Sequence, residues 1–92
     1  PMVVTPYSET MNGKIRTRTF DSSVDRQELM WHRDRQTRTV TIVESNGWKF
    51  QMDNQIPQVM KPGDVLHIPK EEYHRVIAGE GKLVIEIEEH EE

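Results

Sequence analysis

The sequence contains no cysteine, which removes disulfide frameworks and every thiolate metal site at once. An ion held by this chain would need imidazole, carboxylate or backbone oxygen. Aromatic residues are scarce at 7%, and 34% of residues are hydrophobic against 30% charged, so the core must be thin. No apolar run approaches the roughly 20 residues of a membrane helix, and no signal-peptide hydrophobic stretch is visible. A soluble, cytoplasmic protein without a membrane partner is the expectation. Basic clusters are missing too. Arg16, Arg18, Arg33, Arg35 and Arg38 come nearest to a run, but strand alternation divides them between two faces. With a net charge of −4, nucleic acid is not an expected partner. No phosphate loop, nucleotide fingerprint or Ser-His-Asp arrangement is present.

What is there is β-patterned. The 92 residues make one domain, with a core over 28–88, an amino-terminal arm or edge strand over 1–12 and an acidic tail over 89–92. Residues 14–20 alternate basic or polar positions with Ile15, Thr17 and Thr19, and Asp21-Ser22-Ser23 signals a turn. Residues 24–28 suit one helical turn capped by Ser22 or Ser23. Residues 29–34 read as a strand, with Met30, His32 and Asp34 on one face and Leu29, Trp31 and Arg33 on the other. A helix continuing from Val24 is the alternative, and it lacks an apolar stripe. Residues 37–44 are rich in β-branched side chains. Ser45-Asn46-Gly47 predicts a tight hairpin into residues 48–53.

Lys61-Pro62-Gly63-Asp64 is a further turn, before strands over 64–68, 73–78 and 82–88. Short strands with turn signals every eight to twelve residues predict an all-β fold, a small antiparallel barrel or jelly roll. Val40, Ile42, Phe50, Val65 or Leu66, Val76 and Ile85 are the expected inward rows. Small size, few hydrophobic residues and the edge strands of a short barrel predict a homodimer, with residues 2–5 as a pairing strand.

Gly63, Pro69 and His74 have the spacing glycine, five residues, proline, four residues, histidine. Upstream, His32-Arg33-Asp34 precedes Gly47. Together these resemble the two motifs of the cupins, the double-stranded β-helix superfamily, over residues 28–88. The resemblance departs from the motifs in four places. Glu71 stands where a glycine is usual and Ala78 where an asparagine is usual. Asp34 replaces the second histidine of His-x-His, and Arg38 or Thr39 occupies the place of the usual glutamate. The family hosts isomerases, epimerases, dioxygenases, lyases, binding modules and storage proteins, so the likeness implies fold before activity.

The chemistry of these residues points to a divalent transition metal. Neutral imidazole and ionised carboxylate suit Fe, Mn, Ni or Zn. Residues two apart on a strand share a face, so His32 and Asp34 can reach one ion, with His74 arriving from a facing strand. Three such ligands leave positions open for a small-molecule substrate. A metal-dependent enzyme of dioxygenase, isomerase or lyase type, acting on a small polar or anionic metabolite, is the expected function. Arg38 and Phe50 are its expected substrate-binding residues, and His67 and Tyr73 its proton-transfer groups. The competing expectation is a metal-free binding or sensing module, in which Arg38 pairs with Asp34 where the ion would sit. His90 and the carboxylates Glu86 and Glu88 are expected to face solvent.

Overall fold

The computed structural model of the chain describes residues 7–21 and 29–91. The capped turn expected over 24–28 and the pairing strand expected over 2–5 lie outside them. Among the described residues eight strands follow in order: β1 Tyr7–Asn12, β2 Ile15–Asp21, β3 Thr37–Glu44, β4 Lys49–Met52, β5 Gln58–Val59, β6 Val65–Ile68, β7 His74–Ile77 and β8 Lys82–His90. They form a five-stranded sheet in the order β1-β2-β8-β3-β6 and a three-stranded sheet in the order β5-β4-β7. Every strand pairing is antiparallel, as expected of a small all-β barrel.

β8 is central because its alternation is the cleanest in the chain. Leu83, Ile85 and Ile87 are buried while Lys82 and Glu86 are exposed. That inner row meets Phe20 on β2 and Val40 and Ile42 on β3, and the smaller sheet closes over it with Trp48 and Phe50. Of the two candidates on β6, Leu66 packs on the core and Val65 is 62% exposed. The strand runs two residues further than its apolar pattern. Glu89 and His90 pair with Arg38 and Thr37 on β3, and the His90 ring bonds Thr39 Oγ1 at 2.8 Å. His90 and Glu88 are therefore half-buried rather than solvated, and only Glu86 is exposed.

The Asn46-Gly47 turn is not a hairpin. β3 and β4 lie in different sheets and do not pair. The turn instead carries the chain across the barrel, with Gly47 at φ 74° and Val43 bulged out at the end of β3. Burial of Trp48 accounts for the crossing. Its side chain is fully enclosed between the sheets, and its indole N–H donates to Glu80 O at 3.2 Å. Gly79 permits that approach, because a Cβ there would lie 2.3 Å from Asn46 O and 2.4 Å from Trp48 N. The loop from Gly63 to His74 behaves as its motif implies. Gly63 adopts φ 92° and donates to Ile42 O at 2.8 Å.

Candidate metal centre

Residues 29–34 do not form the expected strand. They touch the smaller sheet through one bridge, in which His32 and His74 exchange backbone hydrogen bonds of 3.0 and 2.9 Å. Directly opposed residues present their side chains to the same side. The two imidazoles consequently meet edge to face, with centroids 4.4 Å apart. Asp34, two residues on, joins them by the expected parity. Its backbone is fixed by Glu71 N–H, which donates to Asp34 O at 2.7 Å. Glu71 adopts φ 65°, the left-handed conformation in which glycine is favoured. The backbone there keeps the motif's shape although the side chain differs.

Each histidine is oriented by a second contact. His32 Nδ1 lies 3.0 Å from Met30 O, and His74 Nδ1 lies 2.9 Å from Glu72 O. A carbonyl oxygen only accepts, so each Nδ1 carries the hydrogen and a neutral ring leaves its Nε2 lone pair free. Both Nε2 atoms face Asp34, at 3.8 Å from Oδ1 for His32 and 3.2 Å from Oδ2 for His74. One ligand atom from each of the three residues lies within 4.8 Å of the others. Asp34 Oδ2 is shut off from water without a well-aligned hydrogen bond. Burial pushes the Asp34 carboxyl up, but His74, Arg38 and His32 together outweigh it and hold the group below its ordinary range.

Arg38, and not Thr39, takes the inward position where the usual glutamate would sit. It shares the inner face of β3 with Val40 and Ile42, and Thr39 points the other way toward His90. Arg38 Nη1 lies 3.5 Å from Asp34 Oδ2 and Nη2 lies 3.4 Å from Glu89 Oε2. Phe50 also faces inward, 5.7 Å from the His74 ring.

The His67 and Tyr73 side chains do not reach this centre. His67 alternates with the inward Leu66 and Ile68 and so leaves the outer face of β6. Tyr73 precedes His74 and has opposite parity. It is exposed, with the Arg33 guanidinium 5.3 Å over its ring. Trp31 lines the mouth of the cavity beneath the Arg75 guanidinium. The cavity, about 460 Å³, is walled by Phe20, Val40, Phe50, Leu66, Ile85 and Ile87 around the His-Asp-His cluster. Arg18 and Tyr7 reach it from the far edge. Sequence reasoning assigned these two no role, although Arg18 shares strand parity with Phe20, and Glu89 shares it with Ile87.

No protein-family model matches the sequence, and no curated protein resembles it. Solved structures do resemble it in shape. A cupin-2 domain containing protein from Shewanella frigidimarina NCIMB 400 is 15% identical, with a TM-score of 0.66 over 96% of this chain and 85% of that one. The chain has a cupin fold. KdgF from Halomonas sp. matches this chain over its full length and over 87% of KdgF, at 15% identity and a TM-score of 0.68. The DMSP lyase DddQ from Ruegeria pomeroyi DSS-3 gives a TM-score of 0.71 at 13% identity over 85% of this chain. The chain spans only 38% of that lyase.

Proposed function

We propose that this cupin binds one divalent transition metal, Fe, Mn, Ni or Zn, through His32, Asp34 and His74, and is a metal-dependent enzyme on a small polar or anionic metabolite. What supports the reading most is the convergence of two imidazole Nε2 atoms on a carboxylate within 4.8 Å. Lone pairs so placed repel one another unless a proton or a metal ion lies between them. Both rings are also oriented through Nδ1 by carbonyl oxygens, the outer contacts that metal-binding histidines usually make. When bound, such an ion supplies a Lewis-acid centre that polarises a carbonyl or holds a co-substrate.

The other parts follow from position. His74 is 4% exposed and anchors the centre, while the His32 side chain is 51% exposed and sits at the entrance. Phe50 and the apolar wall exclude water, and Arg38 orients an anionic group. His67 and Tyr73, expected as proton-transfer groups, do not line the cavity and carry no part of this proposal. Among the described residues β1 is an edge strand of the larger sheet, and an edge strand suits pairing with a second copy, so a homodimer is part of this reading, as is a cytoplasmic location. A second reading rests on the Arg38–Asp34 contact of 3.5 Å: a metal-free module closed by an internal ion pair.

Metal analysis of untagged protein separates the two. About one equivalent of metal, with substrate loss or oxygen consumption abolished in His74→Ala, is the expected result. Metal content near zero after exposure to Fe(II), Mn(II), Ni(II) and Zn(II) overturns the metal reading in favour of the ion-pair module.

A further inference from the structure

The inner face of the larger sheet carries a connected row of ion pairs. Glu9 on β1 pairs with Arg18 and, at 4.0 Å, with Arg16 on β2. Arg16 pairs with Glu89 on β8 at 2.7 Å, and Glu89 meets Arg38 on β3 at 3.4 Å. Arg38 meets Asp34 at 3.5 Å, and Asp34 meets His74 at 3.2 Å. The contacts are not equally close. Glu9 is nearest to Arg18, while Glu89 holds Arg16 closely through Oε1 and Arg38 more loosely through Oε2. Both contacts of Arg38 are long, and its Nε is buried without a hydrogen-bond partner. A guanidinium offers five donors in a fixed fork suited to a planar carboxylate. In this row Arg38 is the cation least used by its neighbours.

We propose that Asp34 is contested by two cations, so that metal loading releases Arg38 to grip the carboxylate of a small monoanion with an apolar body. The inference rests on the metal site proposed above. An ion between His32, His74 and Asp34 takes up the carboxylate charge that Arg38 otherwise shares. Glu89 stays shared, Oε1 with Arg16 and Oε2 with Arg38, so Arg38 is left lining the cavity without a carboxylate of its own. The carboxylates of Asp34 and Glu89 flank it within 3.5 Å, which disfavours a dianionic phosphate and suits a single negative charge. Beyond the arginine the wall is Phe20, Val40, Met60, Leu83, Ile85 and Ile87, so the rest of the ligand is apolar. About 460 Å³ lies toward the small end of the range for ligand pockets.

Calorimetry with benzoate, its neutral isostere benzamide and inorganic phosphate tests this on Zn(II)-loaded and metal-free protein. Benzoate should bind the loaded protein at least tenfold more tightly than the metal-free protein. It should also exceed benzamide and phosphate there by a similar factor. Linkage requires benzoate to raise Zn(II) affinity by the same factor. Removing the competing cation in Arg38→Met should raise Zn(II) affinity and erase the preference for benzoate over benzamide. Arg38→Lys, which keeps the charge but loses the fork, should bind benzoate at an intermediate level and serves if the methionine variant fails to fold. Tight Zn(II) binding with benzoate affinity unchanged in both Arg38 variants would mean that the ion alone takes the carboxylate, overturning the proposal but not the metal site. Absence of Zn(II) binding overturns both.

Discussion

Reversing the charge at position 38 is the most direct probe of the centre. Arg38 Nη1 lies 3.5 Å from Asp34 Oδ2, and a carboxylate oxygen coordinates a transition ion at about 2.1 Å, so the guanidinium charge lies within about 6 Å of the ion. At that separation, one unit charge facing a divalent ion is worth roughly 1.4 kcal/mol at the dielectric of water and about 5 kcal/mol at an effective dielectric near 20. The lower figure alone is about tenfold in affinity. Arg38→Glu removes the repulsion and adds an attraction of similar size, both favouring the ion, so tenfold is a floor before desolvation of the new carboxylate is subtracted. The metal-free variant should also lose stability, since the new carboxylate at position 38 stands beside those of Asp34 and Glu89 where a cation stood. Zn(II) should accordingly raise its melting temperature more than it does for the wild type. Competition against a chromophoric chelator, on untagged protein at fixed pH, gives the affinity, with Arg38→Met isolating removal of the positive charge. Equal or weaker binding in both folded variants would show that the ion does not sit beside Asp34.

Three further outcomes follow from the same geometry. His32→Ala and His74→Ala should both abolish tight metal binding, but only His74→Ala should cost the metal-free protein about 1–3 kcal/mol, because that ring is buried and hydrogen-bonded and the His32 ring is not buried; equal melting temperatures would refute the asymmetry. In metal-free protein the depressed Asp34 carboxyl contributes stability above its unfolded value of 3.8 and loses it as pH falls through the lower folded value. Denaturant titrations of wild type and Asp34→Asn should therefore converge below pH 3.8, and a gap that widens there would reverse the assigned sign. Gly79→Ala forces a Cβ into backbone atoms at 2.3–2.5 Å and should destabilise the fold by at least about 3 kcal/mol, read as a lowered melting temperature without change in subunit composition.

The parts of this fold legible in sequence were those encoded by alternation. Thr37–Glu44 was bounded correctly because all its residues but Arg38 and Glu44 are β-branched; β4 and β8 were located from their alternation, and β6 and β7 from the turn residues that bound them. The Asn46-Gly47 turn was located, but its role was not. A turn signal reports local φ and ψ and carries no information about which sheet receives the next strand. That depended on Trp48 entering the core beneath Gly79, a contact between residues more than thirty positions apart. The alternative of an arm or an edge strand over 1–12 stayed open because the residues of β1, YSETMN, are polar and bury little. The acidic tail misled for the opposite reason. Its composition suggested solvent, while the period-two pattern of Leu83, Ile85 and Ile87 already placed Glu89 on the inner face.

The candidate site was legible further than its chemistry. Strand parity was enough to bring His32 and Asp34 together, and the glycine-proline-histidine spacing was enough to bring His74 to them, even though residues 29–34 pair through a single bridge. Parity applied one residue at a time would also have turned His67 and Tyr73 outward, since each neighbours an inward residue. What parity alone does not give is balance between charges. The arginine at position 38 reads in isolation as an obstacle to a metal. Within the row from Glu9 to Asp34, however, every acid inside the sheet already has a nearer cation, except the one that faces two imidazoles. Asp34 can be satisfied by Arg38 or by an ion between the histidines, but not fully by both. The long 3.5 Å contact, the unpartnered Oδ2 and the unpartnered Arg38 Nε are what a carboxylate and a guanidinium show when neither is the other's best partner.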